Sequence, residues 1–233
     1  MLVSNGKKDR LSVVQYYFSM CVLLLICCVL PTGMSRAAWL ASMISCGYVL
    51  LRVYHVKVKS FVSKHRYAVS GVLIVGALLA SSAYFMKRDS ADGRLLIWKV
   101  TAQAIVSSPW GEENGRTFSA IYSDAQERYF TNCEYSESEA WVAGTPDFAF
   151  NEFLQIAVEH GIWVSVLFIT VLLVLLKIAG SRKHLVGMGG CLVSLMLFAC
   201  FSYPLHIPAI VSVWLLAVMV LCGDGLAMMK RKQ

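Results

Sequence analysis

Charge is scarce in this chain. Lys, Arg, Asp and Glu make up 15% of its 233 residues, where a soluble domain carries about 25%. With 58% hydrophobic residues and a mean hydropathy of +0.62, an ordinary soluble domain is excluded and an integral membrane protein is indicated. The sequence also lacks a glycine-rich phosphate loop, a DxD pair, and any CxxC or His-rich metal spacing, so no metal, nucleotide or other cofactor is expected. It lacks an internal repeat, which argues against a transporter built from inverted halves. Cysteine is present eight times, but without the pattern of a disulfide scaffold. Cys21, Cys27, Cys28, Cys46, Cys191, Cys200 and Cys222 lie in apolar runs, where free cysteine behaves as a small hydrophobe, and Cys133 alone lies in polar sequence.

What is there is a set of long apolar runs. Six segments, 11–30, 37–56, 67–86, 153–176, 185–203 and 207–229, come near the ~20 residues that cross a bilayer core. The first is followed by no small-x-small cleavage pattern before a soluble domain, so it is expected to be a retained span and not a signal peptide. The expected organisation is three N-terminal transmembrane helices (1–86), one large external loop with an interfacial helix (87–152) and three C-terminal transmembrane helices (153–233). Six spans put both termini on one side. That side holds 14 Lys and Arg and the other 7, most of the latter in the long loop. The short loops decide orientation, so both termini are expected in the cytoplasm and the loop outside. The basic net charge of +7 then reflects topology, and nucleic-acid binding is not expected.

The external loop carries 11 acidic and 6 basic residues. It cannot attract an anion by its bulk field, so an anion would need particular arginines at close range. Residues 91–107 read as a helix ending before Pro109. Arg94, Trp98, Thr101 and Ile105 share one face of it, with Leu95, Ala102 and Val106 alongside. This reads as a helix on the outer leaflet with Trp98 at headgroup depth, Arg94 being either a snorkelling anchor or a ligand-binding group. Arg36, in "GMSRAAWL" (33–40), ends a span on the same side. It is either an interface marker or, with Arg94, half of a guanidinium clamp for a diphosphate. "EYSESEA" (134–140) reads as solvated loop.

Two further segments carry polar groups to the bilayer edge. Glu152, Gln155 and Glu159 in "GTPDFAFNEFLQIAVEHG" (144–161) form a stripe on the fourth span. Carboxylates there are costly, and are either paired with arginine or serve as a general base or orienting group. "FSYPLHIPAI" (201–210) makes an outer turn holding His206, a side chain that is either structural or part of a site.

Taken in order, "SRAAWL", "RLLIW", "SSPWGEENGRTF", "FNEFLQIAVEHG" and "FSYP" resemble the O-antigen ligase family, also called the Wzy-type polymerase/ligase family, over roughly 32–210. The resemblance implies an all-α membrane glycosyltransferase of GT-C type, in partial form, at the periplasmic face of the bacterial inner membrane. Such enzymes move a glycan from undecaprenyl diphosphate to lipid A–core (ligase), to a growing glycan (polymerase) or to a protein hydroxyl, without a metal. By position, Arg36 and Arg94 match the family's arginines near the donor diphosphate, and Glu159 and Gly161 match its "ExG". Trp98 and Arg116 are further candidates for substrate contact, and Asn151, Glu152, Glu159 and His206 for the chemistry.

Two departures bear on mechanism. The family often places a histidine, its proposed base, immediately before the Asn of "HNxxL", and here that position is Phe150. A carboxylate, Glu152 first, is therefore expected to replace it, with Asn151 orienting the acceptor; otherwise the chain is a weakened variant. Gly111 and Gly115 also stand four apart, where the family usually has a closer pair. Family members usually have more spans, and this chain resembles their C-terminal half. A second polypeptide supplying further spans, or a non-catalytic membrane subunit, is the alternative.

Overall fold

The computed structural model describes residues 2–32, 35–67, 69–71, 74, 88–112 and 115–230. The expected third span, 67–86, lies mostly outside them. The protein is all-α, and every described element is helical. The chain divides into two compact units, Met1–Leu40 and Ala41–Gln233. The first contains α1 (Leu2–Thr32). Its apolar window Val13–Leu30 is 0% buried, as suits a segment whose neighbour is lipid. Helix α2 (Arg36–Lys64) begins there and kinks at Tyr54 (φ −118°, ψ 26°). The side chain of Arg36 lies outside the described residues.

The second unit has two cores. Helix α3 (Arg88–Ser107) buries Leu96, Val100, Ala104 and Ile105 against Phe118, Ile121, Tyr122, Ala125 and Tyr129 of α4 (Phe118–Asn132). Those α4 positions recur at helical spacing, so one face is apolar while Asp124, Glu127 and Arg128 face water. Burial of each large side chain stabilises by about 1.5–3 kcal/mol. A short helix, α5 (Glu137–Trp141), follows in the segment expected to be solvated loop. Its cause is a capping box: Ser136 Oγ accepts from Glu139 N, and the Glu139 carboxylate accepts from Ser136 N.

The fourth expected span is also corrected. It is not continuous over 153–176 but breaks into α6 (Glu152–His160) and α7 (Ile162–Gly180) at Gly161. Helices α7, α8 (Val186–Phe201) and α9 (Pro208–Lys230) are joined by short turns and pack around Leu172, Leu175, Leu192, Leu195, Trp214 and Leu221. Helix α2 lies on α8 where Ser45 Oγ donates to the Gly190 carbonyl at 2.8 Å and Tyr48 and Val49 meet Gly189 and Gly190. Arg52 donates to the Gly180 carbonyl, and Asp224 pairs with Arg182 and His184. Four described helices are long and apolar enough to cross a membrane, in the windows Val13–Leu30, Ala37–Lys64, Ile162–Gly180 and Lys183–Phe201, with Pro208–Asp224 a shorter apolar helix.

Candidate functional site

The site begins with a crossing of two backbones. Gly111 (φ +91°) and Gly161 (φ +99°) both adopt conformations that favour glycine. A Cβ on Gly111 would come within 2.5 Å of the Gly161 nitrogen, and one on Gly161 within 2.6 Å of the Trp110 oxygen. The closeness lets Ile162 N donate to the Pro109 carbonyl at 3.0 Å and Glu112 N to the Glu159 carbonyl at 3.2 Å. The end of the module built by α3 to α5 is thus locked, at the segment that follows α3, to the point where α6 gives way to α7.

Next to this joint, residues 148–159 meet the turn 201–207 and the face of α3. Asn151 caps α6: its Oδ1 accepts from Phe153 N at 3.1 Å and Leu154 N at 3.2 Å. Phe150, immediately before it, is held at φ +52°, unusual for a bulky residue. Arg94 lies with its guanidinium 5.1 Å from the centre of the Phe150 ring and donates to the Phe201 carbonyl at 3.1 Å. Trp98, one turn on, donates to the Ala149 carbonyl at 3.0 Å and packs near Phe201. Tyr203 stacks on Phe148 at 4.4 Å, and Phe148 in turn lies 4.7 Å from the His206 ring.

Below these rings is a polar chain. Glu152 is 1% exposed, and its Oε1 accepts from Leu205 N at 2.6 Å and lies 3.4 Å from His206 Nδ1. Burial pushes its carboxyl above the usual range, against the opposing pull of the Leu205 N–H and of His206. Gln155 is buried as well. It receives Ala149 N at 3.1 Å and places its Nε2 3.2 Å from Glu159 and 3.3 Å from His206 Nε2. A buried carboxylate beside a half-exposed imidazole can hold and move one proton. The described residues contain no group of three or more His, Cys, Asp or Glu placed to hold a metal ion.

Residues 21–169 match the family model described as O-antigen ligase. The chain belongs to the O-antigen ligase family. It is therefore a membrane enzyme of the O-antigen ligase and polymerase type in general terms. No curated protein and no solved structure matches the chain. Within the family match lie Arg94, Trp98 and the whole of 144–161; the turn bearing Tyr203 and His206 lies beyond it.

In this O-antigen ligase family member Glu159 supplies a carbonyl and a carboxylate to the network, and Gly161 permits the backbone crossing. Of the residues picked from the sequence, the structure brings together Arg94, Trp98, Asn151, Glu152, Glu159 and His206. Arg116 belongs to another network, paired with Glu112 at 2.9 Å and with Asp124. The Arg94, Trp98, Thr101, Ile105 face also turns out to be packed on protein, Thr101 and Ile105 being buried. Leu95 and Val106, not Trp98, are the exposed large apolar positions of α3. Sequence reasoning missed Phe148 and Tyr203. The signal was present as "FAF" ahead of one helix and "FSYP" after another, aromatic clusters in turns where no lipid-facing or core helix requires them.

Proposed function

We propose that this chain transfers a glycan from a polyprenyl diphosphate, undecaprenyl diphosphate in a bacterial inner membrane, to a hydroxyl acceptor at the periplasmic face, with lipid A–core as the acceptor. The observation that carries the reading is one cluster holding an arginine and an acid–base pair: Arg94 over Phe150, and Glu152 against His206. The reaction needs these two functions. Diphosphate leaves readily once its charge is neutralised, which a planar guanidinium does by bidentate contact. The attacking hydroxyl then needs only a group to take its proton, supplied by the Glu152–His206 pair. Arg36 is a second donor-binding candidate from the sequence alone. The 14-to-7 division of Lys and Arg supports cytoplasmic termini, and reporter fusions at Ser136 and at the C-terminus test it.

The deciding experiment uses Arg94→Lys in proteoliposomes with a lipid-linked glycan. It keeps the charge and loses the fork. Transfer and donor binding should fall at least tenfold, because a charge-assisted hydrogen bond contributes roughly 1.5–3 kcal/mol, while membrane expression stays normal. Undiminished transfer would reduce Arg94 to a structural contact. A second reading, a subunit that needs another polypeptide, is favoured by Phe150 standing where the family often has histidine. Transfer that begins only when a second polypeptide is supplied would establish it. A glycan chain that lengthens on its own carrier, or a glycosylated protein, would replace lipid A–core by the polymerase or protein-directed form of the same chemistry.

A further inference from the structure

The polar chain beneath the aromatic rings fixes its own protons. Ala149 N–H can only donate, so the Gln155 atom it meets at 3.1 Å must be the carbonyl oxygen. The other end of the Gln155 amide is then the NH2 group, and its 3.2 Å contact with the acceptor-only Glu159 carboxylate agrees. That NH2 group also lies 3.3 Å from His206 Nε2, so Nε2 is the accepting nitrogen, bearing a lone pair. A neutral imidazole then carries its proton on Nδ1, and Nδ1 is the atom facing the Glu152 carboxylate. Two independent contacts on Gln155 thus set one tautomer on a histidine two helices away in sequence.

The same contacts divide labour between the two members of the acid–base pair. Glu152 is 1% exposed and already receives the Leu205 N–H, whereas the His206 side chain is 35% exposed. An acceptor hydroxyl can approach the imidazole and not the carboxylate. The Gln155 contact on Nε2 is long for a hydrogen bond, so an incoming hydroxyl can displace it.

Resting on the glycan-transfer reading above, we propose that His206 is the catalytic base, taking the acceptor's hydroxyl proton on Nε2, and that Glu152 and Gln155 are positioning residues that orient the ring and set its tautomer. In the step itself the hydroxyl oxygen bonds to the anomeric carbon of the donor glycan as its proton passes to Nε2. The bond from that carbon to the diphosphate oxygen breaks, and its electron pair leaves on the polyprenyl diphosphate. The imidazolium formed faces Glu152 across Nδ1, and returns its proton to solvent. Thus a residue from the turn 201–207 supplies the function for which Phe150 has no basic atom. The charged groups around the ring are Glu152 and Glu159 from α6 and Arg94 from α3, which reaches the same turn through the Phe201 carbonyl.

The test joins kinetics to nitrogen NMR of histidine-labelled protein in nanodiscs. His206→Gln should lower transfer by about 100-fold or more, the usual scale for a general base, while donor binding stays at the wild-type level. Glu152→Gln keeps a hydrogen-bond acceptor for Nδ1–H but removes the charge that favours the imidazolium. The acid limb of its pH–rate profile should move to lower pH, because activity requires the neutral ring. The wild-type spectrum should show a protonated Nδ1 and an unprotonated Nε2, and Gln155→Leu should mix the two tautomers. A neutral ring protonated on Nε2 overturns the proposal whatever the activity. Equal transfer by His206→Gln overturns it and leaves the glycan-transfer reading standing. A wild-type chain that neither binds donor nor transfers glycan overturns both.

Discussion

The helices of the α3–α5 module and those of the α7–α9 bundle are both apolar on the inside, yet they are held by different means. In α3 and α4 the buried face is large and aromatic, with Phe118, Tyr122 and Tyr129 inside. The outer face is charged, and Lys99 bridges Glu139 at 2.7 Å and the Tyr129 hydroxyl at 2.6 Å. In α7 to α9 the outward faces are as apolar as the inside: Leu167, Leu173, Leu216 and Met219 are exposed. Where α2 meets α8 the contact is made by glycines. Water drives the first kind of packing by rejecting apolar surface, and lipid offers no such drive, so close approach of small residues takes its place.

The two regions can be set against each other by substitution. The largest effect is expected at the joint between them. Gly161→Ala meets both a positive φ and the Trp110 oxygen at 2.6 Å, so it should cost roughly 3 kcal/mol or more, read as a lower melting temperature in detergent. An unchanged melting temperature would show that the crossing is loose. Within the bundle, Gly190→Val drives a side chain into Val49, whose Cγ2 would lie 2.5 Å from the new Cβ. About 1–3 kcal/mol should be lost, while Leu216→Ala, on the lipid side, should change stability by less than about 0.5 kcal/mol.

Within the module the expectation reverses sign. The Tyr122 hydroxyl is buried with no hydrogen-bond partner among the described residues, and burial pushes its pKa up to about 12. Tyr122→Phe keeps the ring and removes an unsatisfied donor, so the protein should gain about 1 kcal/mol. A loss would reveal a partner for that hydroxyl. The smallest effect within the module is on the charged face. Lys99→Met should cost about 0.5 kcal/mol, and less at high salt. Hydrogen bonds from Lys99 and from Ser136 N lower the Glu139 pKa from 4.5 to about 2. A carboxyl depressed in the folded state stabilises above its unfolded pKa, so this contribution should fade as the pH falls from 4.5 toward 2. Proteolysis of the module across that window would follow it.

Much of this was readable from residues alone. Pro109 marked the end of α3, and the spacing of Arg94, Trp98, Thr101 and Ile105 gave its face. The direction of that face was not readable, because a stripe bearing arginine and tryptophan suits a membrane surface and a protein interior equally. Helix α4 was hidden by its own polarity, although Phe118, Ile121, Tyr122, Ala125 and Tyr129 keep a helical period. The break at Gly161 was hidden because apolar sequence continues across it; only a positive φ reveals that the chain turns. Asn151, Glu152, Glu159 and His206 could be picked one by one as polar residues at a bilayer edge. Their joint proton arrangement could not, since it depends on the Ala149 N–H, a main-chain group that no side-chain pattern encodes.

The glycine crossing has a consequence for how such a protein diversifies. The hydrogen bonds that cross it come from the main chain of Pro109, Glu112, Glu159 and Ile162, and it needs two side chains to be missing. Substitutions on the water-facing side of α3 and α4 leave those main-chain bonds untouched. The outward side chains of α3 and α4 and the fastening to α7 can therefore change independently, as long as positions 111 and 161 stay without a Cβ.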